Sequence, residues 1–193
     1  SGFCAGASGI FAIAEENPDL FAAIAVYGGD FNHSKVENLN NIPIIHFEAE
    51  RIATFFGYKN LFSNNRSYKL NYVNDFGHQI LETISLNSLV FDELLTYEKE
   101  CEPDEIDFTT SSLRHRKSYW VTVNSFESND KMGRIVAKRG SNRIEINTAN
   151  ISSFSITIPE QYDGFRVVVD GIAINNACVG NIYCYVETPQ GFK

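Results

Sequence analysis

The hydrophobic rhythm of the chain changes near residue 100, and this constrains the fold more than any other feature. Before it, apolar runs of strand length alternate with helix-length segments. Beyond it the helical period disappears, and short runs alternate apolar with polar residues. Strands separated by helices imply a parallel sheet with right-handed crossovers. Short alternating runs with one face in a core and one in water imply an antiparallel sandwich or barrel of about 85 residues. The expected fold class is therefore α/β followed by an all-β antiparallel, sandwich-like domain. The expected domains are residues 1–100 and 107–193, joined by a linker over 101–106 (Cys-Glu-Pro-Asp-Glu-Ile).

In the first region, Ala5 to Glu16 is rich in Ala, Gly and Ile and suits a helix packed closely on a sheet. Asn17-Pro18 ends it, because the residue before proline is pushed out of helical geometry. Buried strands are expected at 21–27, closed by Gly28-Gly29, at 42–47 and at 68–73. A helix is expected over 79–100, with Leu81, Ile84, Phe91, Leu94 and Leu95 on one face. In the second region, β runs are expected at 119–123, 134–137, 143–146, 154–158, 165–169 and 182–186. Turn signals lie between them at Asn129-Asp130, Gly140-Ser141-Asn142, Asp163-Gly164, Asp170-Gly171 and Asn175-Asn176.

Sixteen basic and 24 acidic residues leave a net charge of −8. That argues against a sequence-independent nucleic-acid binder, which needs a basic face. The apolar runs are too short to span a bilayer as a helix. Cys4, Cys101, Cys178 and Cys184 form no C-x-x-C and have no histidine at zinc-like spacing, so no metal is expected. Cys178 and Cys184 are read as reduced and half-buried; pairing across neighbouring strands would need an oxidising compartment. Compartment is not legible from the first residues, with the cytoplasm slightly favoured.

The motif that carries chemistry is Gly2-Phe3-Cys4-Ala5-Gly6-Ala7. G-x-C-x-G is the pattern of a nucleophile elbow, a reactive side chain on a sharp strand-to-helix turn where side chains two residues either side would collide. The order nucleophile, acid, histidine is then a test. Cys4 is followed by Glu48 and Glu50 at the end of a buried strand, and then by Gly77-His78. In such a set the thiolate attacks a carbonyl carbon, the imidazole moves the proton, and the carboxylate orients the imidazole.

Residues 1–100 resemble the C-terminal half of an α/β-hydrolase domain of the esterase and prolyl-oligopeptidase-like kind. The landmarks are the elbow, the helix end Asn17-Pro18-Asp19 leading into Leu20-Phe21-Ala22-Ala23, the segment Ile44-Ile45-His46-Phe47-Glu48-Ala49-Glu50, and Gly77-His78. Ser118-Tyr119-Trp120-Val121 and Asn147-Thr148-Ala149-Asn150-Ile151 are similar to β extensions that follow this domain in some bacterial relatives. The resemblance implies hydrolysis of an ester or peptide-like carbonyl, in a small-molecule, peptide or glycan-linked substrate. Cys4 is the implied nucleophile, His78 the base, Glu50 the acid with Glu48 as rival, and the Ala5 N–H an oxyanion donor. It implies no metal and no organic cofactor. Three positions depart from the family: Cys4 stands for serine, Phe47 for glycine and Glu50 for aspartate. The upstream strands, with half of the oxyanion hole, are expected to be missing, so the chain alone should hydrolyse poorly or not at all. The exposed sheet edge is then expected to be covered by a second copy, by another chain or by rearrangement.

Each residue has a plainer alternative. Cys4 would be a buried structural cysteine, His78 a solvated loop histidine, and Glu50, Glu48 and Asp75 surface charge. His46 is read as a packing residue, His33 and His115 as exposed, and Ser8 as a helix contact. Tyr119, Trp120, Tyr183 and Tyr185 read as core or sheet pairs before they read as a sugar platform. Arg114-His115-Arg116-Lys117 reads as a solvated loop. The alternative function is a non-catalytic binding or assembly protein, with a degenerate hydrolase half and a β domain that holds a glycan or a protein.

Overall fold

Every residue of the strand Ile24–Tyr27 is buried, as expected for a strand covered on both faces. It belongs to a four-stranded, fully parallel sheet in the order β1 (Gly2–Phe3), β2 (Ile24–Tyr27), β3 (Ile44–Glu48), β4 (Tyr68–Tyr72). The computed structural model describes residues 1–29, 31, 33–48, 52–73, 88–157, 166–174, 182–188 and 191–192. The chain divides into two compact units, Ser1–Glu100 and Cys101–Lys193. Among the described residues no helix is long and apolar enough to cross a membrane.

In the first unit, α1 (Ala5–Glu16) covers one face of the sheet through Ala7, Phe11 and Ala14, against Ile24, Val26 and Ile44. Small residues on α1 let it lie close to the strands. It stops at Asn17, whose N–H and side-chain amide both bond to the Ile13 carbonyl at 3.0 and 3.1 Å. The same face receives Tyr58 and Phe62 from α2 (Ile52–Leu61) and the turn beyond it. Helix α2 is the crossover helix that the parallel pair β3 and β4 requires, although Thr, Phe, Gly and Tyr are weak helix formers. The opposite face of the sheet packs Ala25, Tyr27, Ile45 and Phe47 against Val90 and Leu94 of α3 (Ser88–Leu94).

This last helix differs from expectation in two ways. Its described part ends at Leu94 instead of running to residue 100. It buries Val90, while Phe91 and Leu95 are 47% and 84% exposed. The stripe facing the sheet is i, i+4 from Val90 to Leu94, and Phe91 and Leu95 lie one position off it.

The second unit is two five-stranded sheets around one core. One sheet runs β14 (Gly191–Phe192), β13 (Ile182–Thr188), β10 (Ser153–Thr157), β7 (Val121–Ser125), β6 (Lys117–Ser118); the other runs β12 (Ile172–Ile174), β11 (Arg166–Val169), β9 (Arg143–Ala149), β8 (Gly133–Arg139), β5 (Glu105–Thr110). Ile106, Phe108, Ile135 and Ile146 of one sheet share a core with Val121, Phe154, Ile156 and Tyr185 of the other. The expectation of an antiparallel domain needs one correction. β9 and β11 pair in parallel, from Arg166 opposite Arg143 to Val169 opposite Ile146. Between them the chain forms β10 in the other sheet, and that crossover returns β11 pointing the same way as β9.

The stretch 101–106 is also more than a linker. Glu105 and Ile106 open β5, and Ile106 is 1% exposed. The Trp120 indole N–H donates to the Pro103 carbonyl at 2.8 Å. Arg139 donates to the Glu102 carbonyl at 2.7 Å and lies 5.9 Å from the centre of the Trp120 ring. Strand β7 begins at Val121, because Tyr119, at φ 52, and Trp120 form the two-residue turn from β6. Asp170-Gly171 forms the two-residue turn its sequence predicts, with φ of 48 and 80.

Candidate functional site

Cys4 sits between the end of β1 and the start of α1 with φ 50 and ψ −120. This is far from the left-handed helical well, and a residue with a side chain is held there only by its surroundings, at about 1–3 kcal/mol. The surroundings are specific. The Cys4 N–H donates to the Tyr27 carbonyl at 3.0 Å, and its own carbonyl accepts from the N–H groups of Ala7 at 2.9 Å and Ser8 at 3.3 Å. Each end of the turn is thus fixed, one to the sheet and one to the first turn of α1.

Glycine is required on one side of the turn and not on the other. A Cβ on Gly2 would lie 2.3 Å from the Gly6 carbonyl oxygen, whereas a Cβ on Gly6 would meet nothing within 4 Å. The expectation of collisions at both flanks therefore holds at Gly2 alone. A third glycine, which the motif does not include, carries the other steric demand. Gly29, at φ 95, would place a Cβ 2.5 Å from the Cys4 carbonyl oxygen and 3.0 Å from the Ala7 Cβ. In the sequence Gly28-Gly29 signals only the end of β2.

All four strands of a parallel sheet finish at one edge. The chain leaves β1 at Cys4, β2 at Gly28 and β3 after Glu48 on that edge. Ala5 begins α1, and its N–H has no partner among the described residues. A first-turn N–H of this kind is an oxygen-anion donor. Ser8 lies inside α1, away from the apex of the turn. Glu50, His78, Asp75 and Cys178 lie outside the described residues, as do the side chains of His33, Tyr183 and Cys184.

Glu48 is buried, at 4% exposure, and is not a surface charge. Strand alternation puts it on the same face as His46. His46 is fully buried, and its Nδ1 lies 2.8 Å from the Tyr68 hydroxyl. Phe11 and Tyr58 meet its ring edge-on, with centroids at 5.9 and 4.6 Å. Burial lowers its pKa to about 4, so the imidazole is neutral at ordinary pH. The same burial, with Tyr58 and Glu48 nearby, raises that of Tyr68. The Tyr58 hydroxyl donates to the Gly29 carbonyl at 2.7 Å.

At the other end of α1, Glu15 is 6% exposed, and burial raises its pKa to about 7 against the opposing pull of Lys35. The Lys35 N–H donates to Glu15 Oε1 at 3.2 Å, and its ammonium pairs with Glu16. This cluster stands at the far end of the helix from Cys4. Among the described residues no group of three or more His, Cys, Asp or Glu is placed to hold a metal.

In the second unit, Tyr119, Trp120 and Tyr185 are buried, and Tyr185 stacks on Phe154 at 5.0 Å. They are core residues and offer no flat face to a sugar. Arg114, Arg116 and Lys117 are exposed, while His115 is half-buried. No family model, curated protein or solved structure matches this chain.

Proposed function

We propose that residues 1–100 carry a cysteine hydrolase site of the α/β-hydrolase kind, acting on an ester or peptide-like carbonyl. One observation above the others supports this reading: the backbone of Cys4, at φ 50 and ψ −120 between a parallel strand and a helix, against a glycine that tolerates no side chain. Strain of this sort at a strand-to-helix turn holds a nucleophile clear of the sheet, and Cys4 there is half-buried.

The Cys4 thiolate attacks the carbonyl carbon, and the Ala5 N–H stabilises the oxyanion that forms. His78 takes the thiol proton and returns it to the leaving group, and Glu50 orients His78. Water then hydrolyses the thioester, releasing the acid and the thiol. Glu48, buried on β3 near Tyr68, stays the rival to Glu50 for the role of orienting acid.

Trapping tests the reading without depending on turnover. An activated ester is expected to leave an acyl adduct on Cys4, detected by peptide mass spectrometry, and His78→Ala is expected to slow its formation by a hundredfold or more. Acylation spread over Cys4 and Cys101 alike, with no effect of His78→Ala, would overturn it. It would favour the non-catalytic alternative.

A further inference from the structure

We infer that Tyr58 is a positioning residue for the Cys4 turn, acting through Gly29. The inference rests on the hydrolase reading for its purpose, but its geometry stands independently. Three contacts lie in sequence. The Tyr58 ring packs edge-on against the fully buried His46, with centroids 4.6 Å apart. The Tyr58 hydroxyl donates to the Gly29 carbonyl at 2.7 Å. Gly29 in turn bears on the Cys4 carbonyl and Ala7 so closely that a Cβ would have no room.

The Cys4 carbonyl is the atom on which the turn is hinged, because it receives the N–H groups of Ala7 and Ser8. A strained φ/ψ relaxes unless something opposes the relaxation. Gly29 lies against that carbonyl and blocks movement toward itself. Gly29 is itself a two-glycine loop residue with much freedom of its own. Its carbonyl is fixed by Tyr58, and Tyr58 is fixed by His46, which sits on β3 and bonds Tyr68 of β4. The rigidity of the sheet interior is thereby carried to the backbone of the nucleophile. His46 is neutral here, so the seat for the Tyr58 ring carries no buried charge.

Tyr58→Phe keeps the ring on His46 and deletes only the donor. In this variant the rate of Cys4 alkylation by iodoacetamide, divided by that of exposed Cys101, is expected to fall about three- to tenfold, the worth of one hydrogen bond. The Ala7 and Ser8 amides are expected to exchange with solvent faster by a similar factor, and the pH–rate profile of Cys4 alkylation to shift, with the thermal midpoint lowered only by the few degrees that one hydrogen bond is worth. Gly29→Ala, which drives a Cβ into the Cys4 carbonyl, is expected to have a larger effect on the same readouts.

Tyr58→Phe with alkylation ratio, profile and amide exchange all unchanged would overturn the proposal. So would losses that follow the fall in thermal midpoint in both variants, since that is a merely structural role. If Cys4 of the unmodified chain reacts no faster than Cys101, the nucleophile reading fails. The exchange of Ala7 and Ser8 then still decides whether Tyr58 holds the turn.

Discussion

The two units solve the same problem, burying a sheet, with opposite tolerance for ionisable groups. Among the described residues, the polar residues that the sandwich buries are Thr109, Thr110 and Ser118, none of them ionisable. Its core is Ile, Val, Phe, Ala, Tyr and Trp, and the Arg139 side chain that is covered has its guanidinium paired with Glu102 and Asp104. Its positive-φ residues, Tyr119, Asn150, Asp170 and Gly171, lie outside the strands. The parallel unit, by contrast, buries Glu15, Lys35, His46 and Glu48, and puts a positive φ on a cysteine at the end of a strand. Strain and buried ionisable groups cost stability, and a fold keeps them where they do something. The contrast separates a sandwich with few such features from a parallel unit that holds several buried ionisable groups and a strained cysteine.

The largest expected effect is in the apolar unit. Trp120→Ala removes a core side chain and the indole donor that fixes Pro103. A loss of about 3–5 kcal/mol is expected for the transition of residues 101–193, measured by denaturant unfolding with near-ultraviolet circular dichroism. A loss under 1 kcal/mol would mean that the 101–104 stretch is not part of this core.

The parallel unit should instead reveal itself through pH. Neutral Glu15 is favoured by folding, so its contribution is fully present below about pH 4.5 and is lost as pH rises to about 7. Neutral His46 is also favoured, so its contribution is present above about pH 6.5 and is lost as pH falls to about 4. Each span corresponds to about 3 kcal/mol as an upper bound. Between pH 4.5 and 6.5 the two slopes have opposite signs and offset each other. Glu15→Gln removes the first, and stability is then expected to climb from pH 4 to 6.5, read as urea midpoints at half-unit steps. A flat profile in that variant would remove His46 from the account.

Much of this division was legible in the sequence, and what was not has identifiable causes. The unbroken apolar runs that became β2 and β3 and the alternating runs that became β8 to β10 carry their own period. So does the small-residue helix Ala5–Glu16, bounded by Cys4 and Pro18. The helix Ile52–Leu61 carries no apolar stripe and is held by packing of Tyr58 and its neighbours, which the sequence cannot express. The parallel pairing of β9 with β11 depends on a strand in the opposite sheet. The site divides in the same way. Gly2 and Cys4 are two residues apart and visible as a motif, whereas Gly29 and Tyr58 meet each other and the turn only in space. Glu50 and His78 lie outside the described residues and rest on chain order.

Strain at Cys4 allows a direct test of the contrast at a smaller scale. Glycine adopts φ 50, ψ −120 without penalty, so Cys4→Gly should relieve the backbone cost and lose part of it to unfolded-state entropy. A net gain of about 1 kcal/mol is expected for the parallel unit. The same exchange at a strand position of the sandwich, Ala137→Gly, is expected to destabilise by about the same amount or more. Loss of stability in Cys4→Gly would show that packing of the sulfur and unfolded-state entropy outweigh the strain.

The smallest effect is expected from the most conspicuous ion pair. Arg134 grips Asp107 through two hydrogen bonds of 2.8 and 2.7 Å, from β8 to β5. Its side chain is 52% exposed, so water and salt screen the pair, and ordering the guanidinium costs entropy. Arg134→Ala is expected to cost about 0.2–1 kcal/mol at low salt and less at 0.5 M NaCl. The adjacent β5–β8 ladder, from Glu105 opposite Lys138 to Thr110 opposite Gly133, holds the strands in register without it. A loss above about 2 kcal/mol, insensitive to salt, would place a strong electrostatic contribution to stability in the sandwich and would break the contrast between the two units.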